Sequence, residues 1–215
     1  MRRAQFWVLT LGLVAVLLGG CSTVYYKGME LLGSEKRDLL RSSVESARDS
    51  QAKASEQFKD ALTRLKEVYA FDGGDLEKGY SRLKSEYESS ASRADTVKSR
   101  IEKVSKIAHD LFQEWDKEAS GMSSERLATS SRERLRETQS RFKSLESSMK
   151  KAEQSMSPVL SQLKDQVLYL KHNLNAQAIA SLKGESLDIE KEIGRLIRDM
   201  NQSIAEADSF IKGLP

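Results

Sequence analysis

The sequence predicts an all-α protein, an elongated antiparallel helical bundle or coiled coil of three long helices plus a shorter C-terminal helix. Three observations carry this. Strand-like alternation of apolar and polar residues is absent. Only two prolines, Pro158 and Pro215, interrupt 215 residues rich in helix formers and serine. A heptad recurs: between Leu76 and Trp115 one seam reads Leu76, Leu83, Ser90, Val97, Val104, Leu111, and the other Tyr80, Tyr87, Ala94, Ile101, Ala108, Trp115. A four-then-three step held over that length keeps one stripe of a helix facing its partners.

The N-terminus does not belong to that pattern. Arg2 and Arg3 precede an uncharged run of 13 residues, Phe6 to Leu18. That is a signal-peptide core and too short for a membrane-crossing helix, which needs roughly 20 apolar residues. Leu18-Gly19-Gly20 then leads into Cys21, the one cysteine of the chain. The spacing reads as a lipobox: residues 1–20 form a lipoprotein signal peptide, and the Cys21 sulfur takes the lipid. Ser22 is the sorting position. By resemblance to the enterobacterial rule, Ser there directs the protein to the periplasmic face of the outer membrane rather than the inner one. Residues 21–27 form the acylated N-terminus and a short tether, with Tyr25 and Tyr26 either at the lipid interface or on the base of the bundle. A single cysteine leaves no disulfide to form, so packing must hold the fold.

Residues 28–215 form one helical-bundle domain. The first helix, 28–71, carries its seam at Leu40, Val44, Ala47, Gln51, Ala54, Phe58, Ala61, Leu65 and Val68. It ends at Asp72-Gly73-Gly74-Asp75, where paired glycines turn the chain and Asp75 caps the next helix. The second helix, 75–119, stops at Gly121, after which Ser123 or Ser124 offers a cap. The third, 124–182, runs through Ala128, Leu135, Phe142, Leu145, Met149, Ala152, Met156, Val159 and Leu163. It is kinked by Pro158 and resumes with Val167, Leu170, Leu174 and Ala178. Gly184 separates it from the fourth, 186–213, with Ile189, Ile193, Leu196, Met200, Ile204, Ala207, Phe210 and Leu214 on one face. Short loops make neighbours antiparallel.

Charge excludes one class of partner. Taking Arg2 and Arg3 from the 35 Lys and Arg leaves 33 against 32 Asp and Glu, so the processed chain is nearly neutral. A nucleic-acid partner is not indicated. Chemistry finds no foothold either. His109 and His172 are isolated, and His109-Asp110 are adjacent on a helix and do not face each other. No P-loop, dinucleotide turn or nucleophile elbow is present, so no catalytic residue, metal site or cofactor is assigned. The stretch Lys171 to Gln177 gathers neutral polar groups. Asn173 falls on the seam, where a buried Asn sets register; a partner-binding patch is the other reading.

Three blocks carry a family resemblance: Tyr25-Tyr26-Lys27-Gly28-Met29-Glu30 with Lys36-Arg37-Asp38, Val167 to Leu182, and Met200 to Ile211. They resemble a family of proteobacterial lipoproteins described as domain of unknown function 2959. The resemblance implies a helical, coiled-coil fold and transfers no functional residue. The expected function is non-enzymatic: a lipid-anchored periplasmic protein acting on an envelope protein partner as scaffold, spacer or adaptor, with self-association left open. A holdase-like or lipid-handling factor is the alternative, and it requires an exposed apolar groove.

Overall fold

The computed structural model describes residues 36–70, 75–184 and 186–214. Cys21, Ser22, Tyr25, Tyr26, Gly73, Gly74 and the predicted helix start at residue 28 lie outside these. The chain divides into two compact units, Met1–Leu39 and Leu40–Pro215. Only residues 36–39 of the first are described, and they are helical; the packing below concerns the second.

Six helices occur among the described residues, and no strand: α1 Lys36–Tyr69, α2 Leu76–Ser120, α3 Glu125–Gln154, α4 Met156–His172, α5 Ala176–Gly184 and α6 Ser186–Lys212. The all-α bundle read from the sequence is the observed architecture. α2, with 45 residues, is roughly 68 Å long at 1.5 Å per residue. Asp75 caps it as the sequence predicts, its side chain accepting the Lys78 backbone N–H at 3.0 Å. Gly121 closes it, its N–H donating to the Lys117 and Glu118 carbonyls. Ser124 is the N-cap of α3, with φ −89° and ψ 108°, but its hydroxyl makes no capping bond.

The third predicted helix is not continuous. It divides into α3, α4 and α5. The first division falls at Ser155, three residues before Pro158. Pro158 has no N–H to give to Gln154, so it is tolerated only in the first turn of a new helix. The backbone at Ser155 stays near helical, φ −68° and ψ −15°, which makes this a shallow joint. The second division follows from Asn173 and Asn175. Asn173 ends α4 at φ −137°, ψ 64°, and its amide donates to the Tyr169 carbonyl at 3.0 Å. Asn175 starts α5, its side-chain oxygen accepting the Ala178 N–H at 3.0 Å. Asn competes for backbone groups in this way and so favours helix ends over helix interiors. Asn173 is therefore a half-exposed cap, not the buried register residue expected. Leu174, expected in the core, sits in the joint and is 42% exposed.

Side-chain bonds give the register of the bundle. Along α1 and α6, Arg41 reaches the Leu214 carbonyl, Arg48 bonds Asp208, Gln51 bonds Ser203, and Lys66 pairs with Glu190. One number rises as the other falls, so the two helices are antiparallel along their length. Gln57 and Arg64 of α1 meet Glu86 of α2. Ser105 and Trp115 of α2 bond Glu146 and Ser131 of α3. Lys151 at the end of α3 and Ser155 in the joint bond Asp199 of α6. α4 continues the third corner, packing on α2 and α6, and α5 covers part of α4 and α6. The long helices α1, α2, α3 and α6 thus alternate in direction around a shared core.

All nine seam positions of α1, Leu40 to Val68, are buried. Several are alanines, which leaves room for Phe58, fully buried. Burying one such large apolar side chain contributes roughly 1.5–3 kcal/mol. In α2 the seams hold through the middle but loosen at the ends, where Tyr80, Tyr87, Leu111 and Trp115 are only half-buried. Ile107, off the heptad, is buried at 3% exposure, because a nearly straight helix drifts about 20° per heptad away from a 3.5-residue repeat. The same drift brings Phe112 toward α3. Phe142 meets Phe112 edge-on with ring centroids 5.6 Å apart, and Phe210 at 5.7 Å. Three helices are joined by this aromatic run. At the end of α6, Arg141 donates to the Ser209 and Gly213 carbonyls and lies 6.0 Å from the Phe210 ring centre. A Cβ at residue 213 would collide with that guanidinium, so glycine leaves the space for it. A cation on the last free carbonyls also suits the helix dipole.

Candidate functional site

Among the buried polar residues of the described core, two sets stand out. In the first, Gln51, Ser55, Ser90 and Ser203 are all buried. Ser203 donates to the Gln51 side-chain oxygen at 2.9 Å, while the Gln51 amide nitrogen and the hydroxyls of Ser55 and Ser90 have no protein partner. Ser203 takes the inward place that the α6 pattern gave to Ile204, which is half-buried beside it.

In the second set, Asp199 is 7% exposed and is the one buried carboxylate among the described residues. Ser155 donates to it at 2.7 Å, and Lys151 lies at 2.8 Å. Burial pushes its carboxyl up, but the Lys151 and Ser155 hydrogen bonds, with the charges of Lys151 and Arg195, outweigh burial and hold it below the ordinary carboxylate range. Glu146 is also held low, chiefly by the Lys150 hydrogen bond; burial opposes this, and the Ser105 hydroxyl and the Lys150 charge add to it. Both carboxylates serve the joint between helices.

The histidines lie apart from both sets. His109 and His172 are exposed. His109 shares a hydrogen bond of 2.8 Å with Gln113, one turn away on the same helix. Among the described residues no three His, Cys, Asp or Glu side chains converge as metal ligands, and no helix is long and apolar enough to cross a membrane. Cys21 and Ser22 lie outside the described residues.

The polar stretch from Lys171 to Gln177 is the α4–α5 joint. Its asparagines are spent on capping, and Lys171, His172, Leu174, Ala176 and Gln177 are exposed. Leu168 and Tyr169 just before it are 45% and 40% exposed, and Leu187 at the start of α6 is 67% exposed. This corner therefore gathers four of the large apolar side chains that the described surface leaves open. The sequence pointed to the stretch by its asparagines but not to its neighbours Leu168, Tyr169 and Leu187.

A family model matches residues 25–214, and its description is Protein of unknown function (DUF2959). The chain belongs to this family. The match spans nearly all of the chain after its first 24 residues and includes the three blocks on which the resemblance rested. No curated protein and no solved structure matches it significantly.

Proposed function

We propose that this member of the family is a non-enzymatic lipoprotein, anchored by a diacylated Cys21 on the periplasmic face of the outer membrane. There it works by protein–protein contact as an envelope scaffold, spacer or adaptor. The observation that carries the reading is the order Arg2-Arg3, uncharged Phe6–Leu18, Leu18-Gly19-Gly20-Cys21 and then polar sequence. Positive, apolar and small-residue segments in that order are what the export and lipid-attachment machinery reads. Ser22 supports the outer membrane over the inner. Long charged helix faces suit contact with another protein, and the near-neutral processed chain argues against nucleic acid.

Metabolic labelling with palmitate tests the anchor. Cys21→Ser is expected to abolish label and leave an uncleaved precursor. A variant processed to the normal size and still labelled overturns the reading. Ser22→Asp is expected to move the protein to the inner-membrane fraction, and crosslinking in intact cells identifies the partner.

A further inference from the structure

Where α4, α5 and α6 meet, the surface opens into a pocket of about 530 Å3. α4 gives it Gln162, Asp165, Gln166 and Tyr169, and Asp188 joins them from α6. Leu182 and Ile189, both buried, add aliphatic surface.

Two features of this pocket are not explained by the fold. Gln166 is 4% exposed in a stripe of α4 that is otherwise aliphatic. Its side-chain oxygen, and that of Gln162 one turn earlier, are out of contact with solvent and accept no hydrogen bond from the protein. Each unmet acceptor is a cost to the fold that no protein donor offsets. The second feature is charge. Among the described residues no Lys or Arg lines the pocket, and Asp165 has no ion-pair partner. Asp188 lies 3.6 Å from Lys191, but both side chains are more than 70% exposed, at 83% and 75%. Such a contact is worth little.

The unmet demand is thus for hydrogen-bond donors and positive charge, beside an aromatic ring and an aliphatic surface. We propose that the pocket binds a cationic head on an aliphatic stem, an alkylammonium or alkylguanidinium group, carried by a free amine or by a Lys or Arg side chain of a partner protein. Asp165 supplies the counter-charge, with Asp188 as the second carboxylate. The Gln162 and Gln166 oxygens accept the head's N–H groups, which a turn about the soft terminal torsion of either side chain permits. The Tyr169 ring offers its face to the cation, and Leu182 and Ile189 take the stem. The site does not rest on the lipid anchor, so failure of one leaves the other standing.

Calorimetric titration of the full mature chain in detergent micelles tests this. The probes are cadaverine, its neutral counterpart pentanediol, and Nα-acetyl-lysine methylamide. Saturable binding of the amines and none of the diol is expected. Asp165→Asn, at an exposed position, and Gln166→Leu are each expected to weaken amine binding about tenfold or more, which is 1.4 kcal/mol per factor of ten. Gln166→Leu removes an unmet acceptor, so its melting temperature is expected not to fall. Tighter binding of the capped lysine than of cadaverine assigns the site to a partner's side chain, and the reverse order to a free amine. Absence of saturation, equal binding of the diol, or affinity unmoved by both variants overturns the proposal.

Discussion

Ser203 of α6 donates a hydrogen bond of 2.9 Å to the side-chain oxygen of Gln51 in α1, across a seam where both residues are fully buried and 152 positions apart in sequence. Ala47 and Ala54 flank Gln51, and Met200 and Ala207 flank Ser203, so the bond favours one alignment of α1 against α6. A shift by a helical turn would break it.

Ser203→Ala is expected to destabilise the protein by about 1–3 kcal/mol, because it leaves the whole Gln51 amide without a partner. Gln51→Leu with Ser203→Ala removes both ends and is expected to recover most of the loss. Urea denaturation of the two single variants and the double variant gives the coupling. Additive losses would show that the bond does not hold the register.

Ile101→Asp and Ser99→Asp test the phase of α2. Ile101 is 3% exposed and Ser99 is exposed. An unpaired charge at Ile101, with loss of its contacts, is expected to cost about 3 kcal/mol or more. Ser99→Asp should stay within about 0.5 kcal/mol, as ordinary surface changes do. Equal melting temperatures for the two would place the wrong face in the core.

Much of this packing is legible in a single sequence. The α1 seam is buried at every position because its spacing and its small side chains agree. The misses have local causes. Leu174 has the right spacing, but Asn173 and Asn175 offer the backbone better partners at helix ends. Ile204 has the right hydrophobicity, yet Ser203 lies inward, because Gln51 across the seam rewards a hydroxyl there. Ile107 and Phe112 escape a strict heptad, from which an ideal straight helix drifts by about 20° per repeat. The pocket beside α4 escapes altogether. Gln162 and Gln166 look like solvent-facing residues until the fold places α5 and α6 over them.

Asp199 gives the protein an acid-sensitive joint. Its folded-state pKa is depressed, so its contribution is present above the ordinary carboxylate pKa of about 3.9 and is lost as pH falls through the lower folded value. Lys151 is 56% exposed, and screening limits the ion-pair share. Asp199→Asn is expected to cost about 1–2 kcal/mol at neutral pH, mostly from hydrogen bonds to a charged group. The gap between wild type and variant should close in acid. Chemical denaturation across a pH series checks this, and a gap independent of pH would contradict it.

Phe142→Ala removes the middle ring of the Phe112–Phe142–Phe210 run. The expected loss is about 3–5 kcal/mol, as for other buried aromatics. Phe142→Leu should cost clearly less, since most of the volume remains. Thermal melts of the two variants decide whether the site depends on filled space and ring geometry, as the packing implies.

The pairing of α1 with α6 also has a consequence for biosynthesis. The long-range partners of residues 41 and 48 are residues 214 and 208, so α1 is the earliest of the described helices to be made and waits for the latest. Until α6 emerges, the flank of α1 around Val44, Ala47 and Gln51 lacks its cover. Contacts that close so long a stretch of chain form slowly, and uncovered apolar surface invites aggregation meanwhile. Premature termination before Ser186 would make that interval permanent. Quality control during synthesis therefore has its clearest target in α1, the helix with the most regular apolar seam of the bundle.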